Sequence, residues 1–149
     1  MNEKKGLSAR RYLNQLAVID EQINQDLERL ADMKADATST GAIDYAKDHV
    51  QTSKVGDKLC SDVVRYVTLD EHINQEIDRF VDAKEHIIAE IRGLHKVTYV
   101  QVLYKVYVQY KSLKQAAQEM KKSYSYAIDL HKKALSAFED KYKNLHYRT

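Results

Sequence analysis

The sequence predicts an all-α protein, in which a long antiparallel helical hairpin precedes a C-terminal unit of three helices. Proline is absent from the 149 residues and glycine occurs four times, which favours long helices because proline interrupts them. Apolar residues recur at steps of three and four along two long segments. The last third of the chain shows the same spacing in shorter pieces, separated by polar breaks.

The two long segments define the hairpin. The first helix is predicted at residues 8–35 and the second at residues 58–92. Residues 36–57 mix Ser, Thr, Asp and Gly and are predicted to be a loop, with a short helical turn near Ile43–Val50 as an alternative. Each helix carries one apolar stripe: Leu13, Leu16, Ile19, Ile23, Leu27 and Leu30 on the first, and Tyr66, Leu69, Ile73, Ile77, Phe80, Ile87 and Ile91 on the second.

The two helices also form an internal repeat. IDEQINQDLERLADMK (19–34) aligns without gaps on LDEHINQEIDRFVDAK (69–84) at an offset of 50, with eight identities in sixteen positions. Equal lengths and matching stripes favour an antiparallel αα-hairpin. The stripes must be buried against each other, against the C-terminal part or against a second subunit.

Several function classes find no support in the sequence. It has no glycine-rich phosphate loop and no nucleophile signature, and the single Cys60 makes neither a disulfide nor a zinc site. The repeated acids flank the stripe, no Glu-x-x-His occurs, and the six histidines show no ligand spacing, so a solvated acidic face is favoured over a metal site. We therefore expect no enzyme activity, cofactor or metal. The charged N-terminus and the lack of a long apolar run predict a cytoplasmic protein without a membrane contact.

Charge is unevenly distributed along the chain. Residues 94–149 contain eleven Lys and Arg but four Asp and Glu, a net charge of +7, whereas residues 1–93 carry −5. Eight of the eleven tyrosines also fall in the basic part. This asymmetry suggests that residues 94–149 meet a polyanion. The alternative is that lysine simply solvates a helical surface.

The basic part has the spacing of a helix-turn-helix. Residues 94–111 fit a helix, although their β-branched residues leave a strand open. Ser112 and Gln115 match a capping box at the start of a short helix (112–120). Ser123 is placed to cap a second helix (124–142). That helix has a predicted buried side of small and apolar residues, namely Ala127, Leu130, Ala134 and Phe138.

This motif assigns candidate DNA contacts. The predicted base-facing residues are Ser123, Tyr124, Ser125, Ile128, Asp129 and Lys132. The predicted phosphate contacts are Lys111, Lys114, Lys121, Lys122 and Lys133. Two positions are unusual, because Lys121 stands where a left-handed turn usually takes glycine and Asp129 places a negative charge on the DNA-facing side.

The run YVQYKSLKQAAQEMKKSYSYAIDLHKKALSAFE (107–139) resembles the C-terminal module of small phage and prophage proteins from Gram-positive bacteria. That group is similar to the ArpU/RinA-like late transcription regulators, whose helix-turn-helix resembles region 4 of sigma factors. Segments 9–24 and 69–84 look like the coiled N-terminal part of the same group. The resemblance implies regulation of phage transcription in the bacterial cytoplasm.

The expected organisation is a helical hairpin at residues 1–93, for dimerisation or partner binding, and a DNA-binding unit at residues 94–149. Expected partners are double-stranded DNA, a second copy in a homodimer, and RNA polymerase or another host protein. The alternatives are a plain helical bundle, a DNA-packaging recognition subunit, and a phage-encoded inhibitor of a host protein or nuclease. An inhibitor would use the acidic side of the hairpin, formed by Glu21, Asp26, Glu28, Asp32, Asp70, Glu71, Glu76 and Asp78.

Overall fold

The computed structural model describes the backbone of residues 6–44 and 52–148 and the side-chain surroundings of residues 6–37 and 58–148. Its helices are α1 (Ala9–Asp44), α2 (Thr52–Arg92), α3 (Val97–Leu103), α4 (Leu113–Glu119) and α5 (Tyr124–Lys141). A π-helical segment, Tyr104–Val108, continues α3 directly. The described residues form no strand, which confirms the all-α prediction and removes the strand alternative for residues 94–111. None of the described helices is long and apolar enough to cross a membrane.

The two long helices extend further into the predicted loop than the sequence indicated. α1 continues through residue 44 and α2 begins at residue 52, so residues 36–44 and 52–57 are helical and the loop prediction is wrong for them. The remaining loop residues, 45–51, and most of the predicted turn at Ile43–Val50 lie outside the described residues. Gly41 and Gly56 lie inside helices, where glycine costs about 1 kcal/mol relative to alanine but does not interrupt the hydrogen-bond ladder.

Residue contacts divide the chain into two compact units, one formed by Met1–Asp20 with Arg79–Thr149 and the other by Glu21–Asp78. In the first unit, the start of α1 and the end of α2 share one apolar core with α3 and α5. This division does not coincide with the predicted boundary at residue 93. The ends of both stripes lie within the core that also supports the C-terminal helices. The innermost side chains of this core are Leu13, Leu16, Ile87, Ile91, Val102, Leu103, Leu130 and Phe138.

The C-terminal tail ties the first unit together. The backbone N–H of Leu7 donates to the carbonyl of Leu145 at 2.8 Å. The Tyr12 hydroxyl donates to the Glu90 carboxylate, and the Arg148 guanidinium contacts both groups. Burial and the Glu90 carboxylate raise the pKa of Tyr12 to about 12. The sequence analysis assigned no role to this tail, which shows no helical periodicity.

The corner between α2 and α3 needs a glycine. A Cβ atom at Gly93 would fall on the Tyr142 hydroxyl, which donates a 2.8 Å hydrogen bond to the Glu90 carbonyl. Lys141 also donates to the Gly93 carbonyl. These two hydrogen bonds hold the end of α5 against the end of α2. A Cβ at residue 93 would displace the Tyr142 hydroxyl from this contact.

The second unit is a section of the α1–α2 hairpin. The Lys34 ammonium lies 5.8 Å from the Tyr66 ring centroid, and Asp26 lies beside His72 and Glu76, so the helices run antiparallel. Other stripe residues meet between them: Ile23, Leu30 and Ile73 are buried. Of the other stripe positions in this unit, Tyr66 and Leu69 are half-buried, whereas Leu27 and Ile77 are 43% and 36% exposed.

Candidate nucleic-acid interface

The first helix of the helix-turn-helix starts at the predicted capping box. The Ser112 hydroxyl accepts from the backbone N–H of Gln115 at 3.1 Å, and the Gln115 amide oxygen accepts from the N–H of Ser112 at 3.2 Å. These two bonds satisfy N–H groups that the first turn of a helix leaves without intrahelical partners. The sequence therefore predicted the start of α4 correctly.

The turn after α4 adopts a Schellman motif around a lysine. The N–H of Lys122 donates to the carbonyl of Ala117 at 2.9 Å, and the N–H of Lys121 donates to that of Gln118 at 3.1 Å. These two bonds are the hydrogen-bond pattern of that motif. Lys121 has φ 56°, the left-handed conformation that glycine adopts most easily. The turn is thus of the predicted type, and lysine adopts it at some energetic cost.

The second helix, α5, begins at Ser123, whose hydroxyl accepts from the N–H of Tyr126 at 3.1 Å. Its predicted buried side is confirmed, because Ala127, Leu130, Ala134 and Phe138 are at most 4% exposed. The two alanines of α4, Ala116 and Ala117, are also buried. Small side chains at these positions let α4 and α5 pack closely.

The segment before α4 supports α5 through a buried polar contact. The Tyr107 hydroxyl and His131 Nε2 are 2.8 Å apart and both residues are buried. Burial, and secondarily the nearby Arg10, lowers the pKa of His131, which favours the neutral imidazole. The π-helical segment ends at Val108. Two residues later, Tyr110 has φ 57°, and its hydroxyl donates to the Leu16 carbonyl at 3.3 Å.

The predicted base-facing residues lie on the side of α5 that is opposite its buried side. Tyr124 is 54% exposed, and Ser125, Asp129 and Lys132 are also exposed, while Ile128 is half-buried among them. Their spacing places them within one face of the helix, as a groove-reading helix requires. Ser123 is exposed, but its hydroxyl is engaged in capping the helix.

The predicted phosphate contacts have different surroundings. Lys111 pairs with Glu119 at 2.5 Å, and Lys105, which the sequence analysis did not select, lies 3.6 Å from the same carboxylate. Lys122 lies 5.3 Å from the ring centroid of Tyr126, a half-exposed residue that was also not selected. Among the described residues, four exposed lysines of this motif have no carboxylate within ion-pair distance: Lys114, Lys121, Lys122 and Lys132.

The negative charge of Asp129 has a partner on the same helix. The Lys133 ammonium lies 2.9 Å from the Asp129 carboxylate, and both side chains are more than 60% exposed. This contact raises the pKa of Lys133. Asp129 therefore neutralises one of the lysines that the sequence assigned to phosphate, which reduces the positive charge along one side of the α5 face.

One cluster of potential metal ligands lies elsewhere, in the second unit. Asp26, His72 and Glu76 each offer a ligand atom, and these atoms lie within 4.8 Å of one another. The sequence alone favours a solvated acidic face over a metal site here, because these residues flank the apolar stripe and no Glu-x-x-His occurs. Two of these residues lie on α2 and one on α1, so the cluster exists only in the folded hairpin.

Comparison with known proteins gives no assignment. No protein-family model matches the chain, and neither the curated proteins nor the solved structures contain a significant match.

Proposed function

We propose that this protein binds duplex DNA through the α4–α5 helix-turn-helix and acts as a transcription regulator of the phage type. The observation that supports this proposal most is the capped turn. Two separately capped helices meet through buried alanines and a left-handed residue at Lys121. A short turn of this kind between two helices, with one residue in the conformation that glycine favours, is the connection that a helix-turn-helix uses.

The charges around the turn support the same proposal. Lys121 and Lys122 lie at the N-terminal end of α5, where backbone N–H groups and the helix dipole also attract a phosphate. Lys114 is exposed on α4, and Lys132 is exposed on the same face as Tyr124. In this arrangement the lysines flank an exposed aromatic and polar face, as expected for a helix that enters the major groove.

Substitutions distinguish phosphate contacts, which position the protein on any duplex, from base contacts, which recognise the DNA sequence. Replacing Lys121 or Lys122 with alanine is expected to weaken binding to any duplex and to reduce the slope of log affinity against log salt by about one unit each. Lys58→Ala on α2 is the matched control, because the residue is exposed but lies in the other unit. Equal slopes for all three variants would contradict the proposed interface.

The base-facing side chains have a different expected signature. Loss of Tyr124 or Lys132 is expected to cost roughly 1–3 kcal/mol on the cognate site and little on random duplex. The cognate site is obtained by selecting genomic fragments of the phage that encodes the protein and sequencing them. If these variants weaken binding to random and selected duplexes equally, α5 does not read bases in the groove.

Assembly as a homodimer is part of the proposal. Among the residues of the second unit whose side chains the structure describes, five large apolar ones are at least 36% exposed, namely Leu27, Leu59, Val64, Val67 and Ile77. Contact with a second copy would cover them, and two linked DNA-binding units would gain affinity for a two-fold site. Light scattering at micromolar concentration is expected to give the dimer mass, and a monomer mass would contradict this part of the proposal.

The alternative function, inhibition of a host protein, predicts a different result in the DNA-binding experiments. A protein that mimics nucleic acid would leave duplex DNA unbound and would copurify with a host protein or nuclease. Charge reversal of Asp32 and Asp70, both exposed on the hairpin, would then release the host protein. The same substitutions should leave DNA binding by the helix-turn-helix unchanged or slightly tighter.

A further inference from the structure

We propose that the second unit binds one divalent transition-metal ion of the zinc class through Asp26 of α1 and His72 and Glu76 of α2. The three side chains contribute one imidazole nitrogen and two carboxylate oxygens, all within 4.8 Å of one another. A mixed nitrogen and oxygen set suits Zn²⁺ and its neighbours in the first transition series, whereas Mg²⁺ and Ca²⁺ prefer oxygen ligands alone. This inference does not depend on DNA binding.

The geometry requires small rearrangements of side chains. Metal–ligand bonds of about 2.0–2.2 Å in a tetrahedral zinc site place the ligand atoms about 3.4 Å apart. His72 Nε2 and Glu76 Oε1 are 2.9 Å apart, and the two residues follow each other by one helical turn. Because the ligand atoms lie within 4.8 Å of one another, metal binding would require the side chains of Asp26 and His72 to rotate toward a common point. Water would complete the coordination.

A second observation independently points to a cation at this place. The Glu76 Oε2 atom is buried and has no hydrogen-bond partner among the described residues. The other oxygen of this carboxylate lies 2.9 Å from His72 Nε2, and the side chain as a whole is 22% exposed. A buried oxygen without a partner is unfavourable, and the neighbouring Asp26 carboxylate adds repulsion. A bound cation removes both penalties, because it coordinates the oxygens and compensates their charge.

The internal repeat explains why the cluster forms here. Asp26 and Glu76 occupy equivalent positions of the repeat, at the offset of 50 residues. When two such segments pair antiparallel, equivalent positions near the middle of the repeat face each other. The position equivalent to His72 is Gln22, so one half of the repeat supplies the imidazole. The set is therefore a specific arrangement across two helices and differs from the scattered acids of the hairpin surface.

The test uses the full chain stripped of metal with a chelator. Isothermal titration with Zn²⁺ is expected to show one ion per chain, and Co²⁺ is expected to give the visible absorption of a nitrogen- and oxygen-coordinated site. His72→Gln introduces the residue found at the equivalent position of the first half of the repeat, Gln22. This substitution is expected to weaken Zn²⁺ binding at least about tenfold. Asp26→Asn and Glu76→Gln are expected to have the same effect. Hydrogen exchange should slow in both helices around the site when Zn²⁺ binds, because the ion stabilises the native hairpin.

Matched controls distinguish this site from adventitious binding. Glu71→Gln and His86→Gln remove an exposed carboxylate and an exposed imidazole of the same helix outside the cluster, and they are expected to leave Zn²⁺ affinity unchanged. Circular dichroism of each metal-free variant checks that the helices persist. Absence of Zn²⁺ binding, equal binding of Mg²⁺, or Zn²⁺ binding that survives the three ligand substitutions would each overturn the proposal.

Discussion

Replacement of Lys121 by glycine tests the turn of the helix-turn-helix, because it separates backbone strain from charge. Lys121 has φ 56°, and a left-handed conformation costs an ordinary residue about 1–2 kcal/mol. Glycine removes that cost but makes the unfolded chain more flexible, which opposes the gain by about 0.4–1 kcal/mol. The expected net effect is stabilisation by about 0.5–1 kcal/mol.

Lys122→Gly is the matched control for this prediction. Lys122 carries the same charge one residue later, but its φ is not in the left-handed region. Glycine at this position relieves no strain, so we expect destabilisation by about 0.4–1 kcal/mol. The two variants lose the same charge and are expected to change stability in opposite directions.

Thermal and urea unfolding of both variants measure these changes in stability directly. In a chain of this length 1 kcal/mol corresponds to about 2–4 °C in Tm, so Lys121→Gly should melt slightly above the wild type. Both variants should reduce the salt slope of DNA binding by about one unit. Destabilisation by Lys121→Gly, or an equal effect of both substitutions on stability, would refute the argument from the turn.

Three further predictions follow from the described contacts. Leu130→Asp is expected to unfold the C-terminal helices, because it buries an unpartnered charge. Leu27→Asp, at an exposed position, should change the free energy of unfolding little and weaken dimerisation instead. Similar unfolding curves for both variants would contradict this prediction. The lowered pKa of His131 means that the folded state binds its proton less readily than the unfolded state, so stability should fall as pH decreases below about 6.5. His131→Gln should remove part of that pH dependence, while His95→Gln, at an exposed position, should leave it intact. Asp129→Ala frees Lys133 from its ion pair and is expected to tighten binding to random duplex in an anisotropy titration; weaker binding would indicate that Asp129 contacts DNA favourably.

Local signals in the sequence predicted the helix-turn-helix in detail. Serine and glutamine three residues apart indicated the start of α4, and Ser123 indicated the start of α5. The steps of three and four residues identified the buried side of α5. These features depend on hydrogen bonds and faces within a few residues, so the sequence contains the information that determines them.

Features that depend on distant parts of the chain could not be predicted in this way. The stripe periodicity did not show that Leu27 is exposed while Leu30 is buried, because that depends on how the facing helix is placed. The contact of Arg148 with Glu90 and the cluster of Asp26 with His72 and Glu76 join residues more than 40 positions apart. The loop prediction failed because polar residues and glycines lower the helix propensity of a segment without excluding a helix.

A salt titration of the wild-type protein shows whether α4 and α5 bind duplex DNA. Fluorescence anisotropy with random and selected duplexes at about 50 mM salt, where phosphate contacts are strong, is expected to show binding that weakens steeply as salt increases. The selected duplex should bind more tightly than the random one at every salt concentration. Absence of binding to any duplex at the lowest salt concentration would contradict the account.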